Sequence, residues 1–205
     1  GDHRDLHLSL RRQRQMCIRD SVLTFPVIQA GDVEDINSMV KKKVAVIFDL
    51  LGKQDIEKNE RNEKIVGELN EIMDFQLAAY LSLGKHWKKI SKTQKKEFVK
   101  TFQQYINNYI VEKIDLYTNQ KIDIGDSKIV KKGRAELEIG ILSGGETLQV
   151  NFKLRKNKKK EWRVYDVDIE GVSLITTFRS QFSGVLKNSP FEELLEKLKN
   201  PTEQS

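Results

Sequence analysis

A chain of 205 residues, 38% hydrophobic and 32% charged, has room for one large domain or two small ones and too many apolar side chains to be disordered. No apolar run approaches the ~20 residues needed to cross a bilayer, and the single cysteine, Cys17, excludes both an internal disulfide framework and a multi-cysteine metal site. The net charge of +6 does not by itself indicate nucleic acid, since residues 1–30 alone hold five arginines against three aspartates.

In chain order, residues 1–21 read as a tail that is not native sequence. "LSLRRQRQMCIRDS", Leu8 to Ser21, has neither helical nor strand period and resembles a translated sequencing adapter. An arginine-rich leader or a disordered tail is the alternative. Residues 22–30, "VLTFPVIQA", resemble the back half of a signal peptide, with Ile28 and Ala30 placed as at a cleavage site. A buried N-terminal strand is the competing reading. The mature chain is then expected to begin at Gly31, as a single domain over residues 31–200 with a short tail over 201–205.

Asp32 to Leu51 places Val33, Ile36, Val40, Val44, Ile47 and Leu51 on one helical face, stopped by Gly52. A polar linker, "GKQDIEKNERNEK", leads to Ile65, Leu69, Ile72 and Met73, then to "DFQLAAYLSLG", closed by Gly84. Ser91 and Gln94 form a capping box that opens a long helix. That helix carries Phe98, Phe102, Tyr105, Ile106, Tyr109, Ile110 and Ile114 on one side and is expected to end near Tyr117.

From Lys121 the period changes to two. "KIDIGDSKIV" reads as an interrupted strand, and "RAELEIGIL" and "TLQVNFKLRK" as a hairpin joined by "SGGE". After a lysine-rich turn, "EWRVYDVDIE" is the last strand, followed by two short helices in "GVSLITTFRSQFSGVL" and "PFEELLEKLKN". Strands gathered in one block between helices predict an α+β fold, an antiparallel β-meander of about four strands wrapped by helices.

The segments "LGKHWKKIS", "QKKEFVKTFQQYI" and "FKLRKNKKKEWRVYDVDIEGVSLITTFRSQF" resemble the MlaC family of periplasmic phospholipid-binding proteins of the Mla pathway, also called toluene-tolerance auxiliary proteins. The most specific part is Trp162, Tyr165, Asp166, Glu170, Gly171, Val172 and Ser173, and the resemblance extends over roughly Val33 to Lys199. It implies a periplasmic carrier that holds phospholipid as cargo, without a cofactor, in an apolar cavity between helices and sheet. Such a carrier would exchange lipid with an inner-membrane ABC transporter complex and an outer-membrane lipoprotein complex, maintaining outer-membrane asymmetry without stable membrane insertion.

On that reading the cavity is lined by Phe98, Phe102, Tyr105 and Tyr109 of the long helix. Facing them are Ile139, Ile141, Leu148, Val150 and Phe152 of the hairpin, Tyr165, Val167 and Ile169 of the last strand, and Val172 and Ile175 beyond it. Two acyl chains carry ~30 methylenes, which at ~0.8 kcal/mol each would cost about 25 kcal/mol to hold in water, so the carrier must enclose them. Glu170 and Gly171 are expected to end the sheet at a rim, letting the next helix lid its apolar face. Asp166, Asp168 and Glu170 would form the outer, solvated side of the strand. Arg155, Lys156, Lys158 and Lys159 in the lysine-rich turn, with Glu170, are the expected partner-docking residues.

Two rival classes can be weighed on the same residues. A cone-shaped α+β enzyme with a carboxylate base could use Asp166 or Asp168, but His86 is the only imidazole outside the tail and no nucleophile elbow, phosphate loop or metal-ligand spacing is present. A nucleic-acid or anionic-surface binder could use "KLRKNKKK", yet that run lacks interleaved aromatics for base stacking. The sequence is read as a non-enzymatic carrier that binds no nucleic acid.

Overall fold

The computed structural model describes residues 28–53, 55–114, 120–143 and 145–200. Among these the chain forms helices α1 (Ile28–Gly52), α2 (Lys58–Ile72), α3 (Phe75–Leu83) and α4 (Lys92–Ile114), with a 3-10 turn over Gly84–Lys89 joining the last two. Strands β1 (Lys121–Ile124), β2 (Lys128–Lys131), β3 (Arg134–Ser143), β4 (Glu146–Lys156), β5 (Trp162–Ile169) and β6 (Val172–Ser173) follow, then α5 (Leu174–Asn188) and α6 (Phe191–Lys199). The α+β class holds. The expected helix end near Tyr117 lies outside the described residues.

The helix ends follow local chemistry. The α4 capping box closes in both directions, Gln94 N–H donating to Ser91 Oγ at 3.1 Å and Ser91 N–H to Gln94 Oε1 at 2.9 Å. Asp74 caps α3 through Leu77 N–H at 2.9 Å. The polar linker is shorter than expected, because α2 starts inside it at Lys58. Glu57 accepts from the amides of Asn59 and Glu60, and Lys64 pairs with Glu60 one turn earlier, so a stretch with little apolar content still winds into helix above the buried Ile65.

The sheet is antiparallel, in the order β1-β3-β4-β5-β6, with β2 following β1 along the same edge of β3. The expected interruption of the first strand is therefore real, and among the described residues the meander has six strands, more than the expected four or so. The β3–β4 ladder runs from Ser143↔Glu146 to Arg134↔Arg155. Glu170 and Gly171, with φ of 50° and 81°, make the two-residue turn that returns β5 into β6.

Among the described residues, three apolar clusters form. Ile36 and Val40 of α1 pack on Ala135, Leu137, Ile139, Leu154, Trp162 and Val164, one face of the sheet. Farther along the same helix, Ile47, Leu50 and Leu51 meet Ile65 of α2. A helical bundle of α3, α4, α5 and α6 forms the third cluster around Phe98, Phe102, Phe178, Phe182 and Phe191. Met73, at the free edge of β5 beside Val164, packs against both the sheet cluster and the bundle. Polar bonds fasten α1 over the sheet at two places. Asn37 accepts from Ser127 N–H at 2.9 Å beside β2, while Asp32 holds Lys156 and accepts from Trp162 Nε1 at 3.3 Å at the base of the β4–β5 hairpin.

Candidate lipid-binding site

The strand register arranges the expected sheet residues in rungs on the face beneath α1. Ile141 pairs with Leu148; Ile139 with Val150, and Val150 with Ile169; Leu137 with Phe152, and Phe152 with Val167. This face is graded. Leu137 and Leu154 are fully buried under α1 and Ile139 and Val150 are buried beside them, whereas Ile141, Leu148, Phe152, Val167 and Ile169 remain partly exposed. Ile122 and Ile124 of β1 continue the half-buried fringe. A buried apolar centre is thus flanked by an incompletely covered apolar margin.

Three expected features of the site need correction. The aromatic face of α4 does not look at the sheet. Phe98 and Phe102 pack in the bundle, with ring centroids 5.6 to 6.0 Å from Phe178, Phe182 and Phe191, and Tyr105 meets Phe178 edge-on at 5.7 Å. Ile175 joins that same cluster, while Tyr109 and Val172 are exposed. An amphipathic helix declares which face is apolar but not which neighbour covers it, and here α1 takes the sheet.

Tyr165 is likewise separated from Val167 and Ile169. A register shift opposite Lys153 and Leu154 inserts one residue into β5, so alternation breaks at Tyr165. Its ring lies 4.8 Å from the guanidinium of Arg134 instead of beneath α1.

The third correction concerns Asp166, expected on the solvated side of the strand. It is only 6% exposed. Its carboxylate accepts from Ser173 Oγ at 2.7 Å, from Ile175 N–H at 3.1 Å and from Lys153 Nζ at 3.3 Å, joining β5 to the first turn of α5. An anion at a helix N-terminus also meets the positive end of the dipole. Burial disfavours the charge on Lys153, but the carboxylates of Asp166 and Asp168 outweigh it and hold the ammonium above the usual lysine pKa. The helix that follows Gly171 therefore packs through this polar side and does not lid the apolar face.

The expected docking residues divide in the same way. Arg155 is clamped to Asp74 with Nε···Oδ2 of 2.7 Å, and Lys156 is held by Asp32 beneath the ring of Trp162. Lys158 and Lys159 are exposed at the tip, in a turn organised by Asn157 Oδ1 accepting from Lys159 and Glu161 amides. The Glu170 carboxylate accepts from Gln149 N–H. The apolar face of α1 is plain in the sequence, but its placement on the sheet, which gives it a role at the site, is tertiary and leaves no local signal.

The build is that of an α+β domain with a half-covered apolar sheet face, and no cluster of His, Cys, Asp or Glu among the described residues could hold a metal. The chain belongs to the MlaC family, whose model, described as MlaC protein, matches residues 34–200. It is 28% identical over 141 residues to the intermembrane phospholipid transport system binding protein MlaC of Haemophilus influenzae, an alignment covering 67% of this chain and 66%, just under two thirds, of that relative. In fold it is similar to a phospholipid-binding protein of Ralstonia solanacearum solved in complex with a phospholipid. The TM-score is 0.69 at 18% identity, covering 84% of this chain and 97% of the other.

Proposed function

We propose that this chain is a periplasmic phospholipid carrier that moves lipid between inner-membrane and outer-membrane Mla complexes and takes no part in covalent chemistry. One observation carries the reading: the apolar sheet face beneath α1, buried at Leu137, Ile139, Val150 and Leu154 and only half-covered around them at Phe152, Val167, Ile169, Ile141 and Leu148. A half-buried fringe continuous with a buried core is where acyl chains add contact area without stripping water from polar groups. Acyl chains enter along that fringe and extend inward as α1 lifts from the sheet, since two chains demand near-complete enclosure. The head group stays wet at the rim. Family membership and the named relatives support phospholipid as cargo, and no described helix is long and apolar enough to cross a membrane, which accords with a shuttle.

Native mass spectrometry with lipid extraction of the purified chain tests this. Phospholipid at near one-to-one stoichiometry is expected. Protein that emerges free of lipid and takes none up from phospholipid vesicles would overturn the proposal.

A further inference from the structure

Among the described residues, the longest run of lysines without a carboxylate partner is not on the hairpin that the sequence points to, where only Lys158, Lys159 and Lys160 of the tip are unpaired. At that hairpin Lys153, Arg155 and Lys156 are each bound to a carboxylate. Around the 3-10 turn and the start of α4 the situation is reversed. Lys85, Lys88, Lys89, Lys92, Lys95 and Lys96 fall within twelve residues, five of them exposed, and none has a carboxylate partner among the described residues. The nearby acid Glu97 is itself engaged by Lys199 at 3.5 Å. Arg179 adds a further cation, its side chain lying against Gly84 and its Nε donating to Leu81 O at 2.7 Å.

Aromatic side chains sit inside this positive field. Tyr80, 42% exposed, meets Trp87 edge-on at 5.6 Å, and Lys95 Nζ lies 5.7 Å from the Trp87 ring centroid. His86 reports the same surroundings, since burial first and then Lys89 and Lys85 hold its imidazole below the ordinary histidine pKa. Amphipathic Trp and Tyr flanked by flexible lysines are what a protein presents at head-group level of a bilayer. A nucleic acid would need an open ring face for a base, and the Trp87 ring is already engaged. An acidic protein partner would favour arginine forks around a desolvated apolar centre.

We propose that the corner formed by the end of α3, the 3-10 turn and the first turns of α4 rests reversibly on an anionic phospholipid bilayer. The lysines reach the head groups, Trp87 and Tyr80 lie at their level, and the contact is electrostatic and peripheral. Each lysine near an anionic leaflet gains about fivefold in partitioning, so several acting together hold the protein at the surface and one or two do not. The inference is independent of whether the sheet face carries lipid.

Flotation of the full chain with vesicles tests it, comparing pure phosphatidylcholine with a mixture containing about 30% phosphatidylglycerol. Protein should float with the anionic vesicles only and be released as salt shortens the Debye length to about 3 Å. Lys88→Glu with Lys92→Glu and Lys96→Glu should weaken partitioning about a hundredfold or more. The same three lysines changed to Gln should fall between that variant and the parent, which separates charge from any folding defect. Lys128→Glu with Lys131→Glu and Lys132→Glu, an equal charge change on β2 and the turn after it, should retain most of the binding. Absence of flotation at low salt, equal flotation with neutral vesicles, or equal loss in both triple variants would overturn the proposal, the first leaving an acidic protein as the partner of this corner.

Discussion

Asp166 accepts from three donors, and the cost of losing it differs with what replaces it. Asp166→Ala removes the acceptor for Ile175 N–H and Ser173 Oγ and leaves Lys153 part-buried beside Asp168 alone. Removing one partner of a buried pair together with a helix cap should lower stability by about 3 kcal/mol. Asp166→Asn keeps an acceptor and should lose about half as much. Denaturant titrations distinguish the two, and a loss below about 0.5 kcal/mol in the alanine variant would mean that the strand–helix joint is held elsewhere. His86 has the opposite character. Its Nε2 is buried without a partner, and its folded pKa lies below the ordinary 6.5, so the folded state prefers it neutral. Its contribution is therefore present above pH 6.5 and lost as pH falls from there toward the depressed value, because the unfolded chain takes up the proton first. His86→Gln should flatten stability across that window relative to the parent, and identical pH profiles for the two proteins would refute the assignment.

The elements show what a period can and cannot report. The α4 capping box, the β3–β4 hairpin and the two closing helices are legible because each is written in nearby residues: Ser91 with Gln94, apolar side chains that alternate, or apolar side chains at helical spacing. The bulge at Tyr165 is not, since one inserted residue leaves the alternation of β5 looking intact on either side. The reach of α1 was half legible. Its apolar face was plain, but that Ile36 and Val40 cover the sheet while Ile47 and Leu51 meet α2 depends on the whole fold. Two consequences belong at this scale. The first described α1 side chain that is buried is Ile36, so a chain beginning at Gly31, which loses only the first three residues of α1, should melt within a few degrees of the full one; a drop of several degrees would show that residues before Gly31 help to hold the fold. On the β4–β5 hairpin, reversal of the exposed Lys158, Lys159 and Lys160 to Glu should slow association with the proposed partner complexes and flatten its salt dependence at unchanged melting temperature. Arg155→Ala should instead reduce stability, because it leaves Asp74 without its cation. Equal association rates at low salt for parent and reversed tip would remove the hairpin from docking.

At the scale of the molecule, the α+β class and the strand block could be read directly, while the division into a sheet core and a separate aromatic bundle could not. Phe98 and Phe102 carry no mark that sends them to Phe178 and Phe182 instead of to Val150 and Phe152. That division moves the proposed acyl site away from the α4 aromatics and onto the fringe bounded by α1. Leu148 and Val167 lie on that fringe, half-buried on the face beneath α1. In ordinary packed core, enlarging both to tryptophan would overpack and cost ~1–3 kcal/mol at each site. On a face that opens to take acyl chains, the rings occupy the cargo's space. The most direct measurement is lipid phosphorus per protein in Leu148→Trp with Val167→Trp beside the parent, each purified and confirmed folded. The account predicts near one phospholipid per parent chain and a sharp fall in the double variant at little change in melting temperature. A folded double variant that keeps its full complement of phospholipid would contradict it.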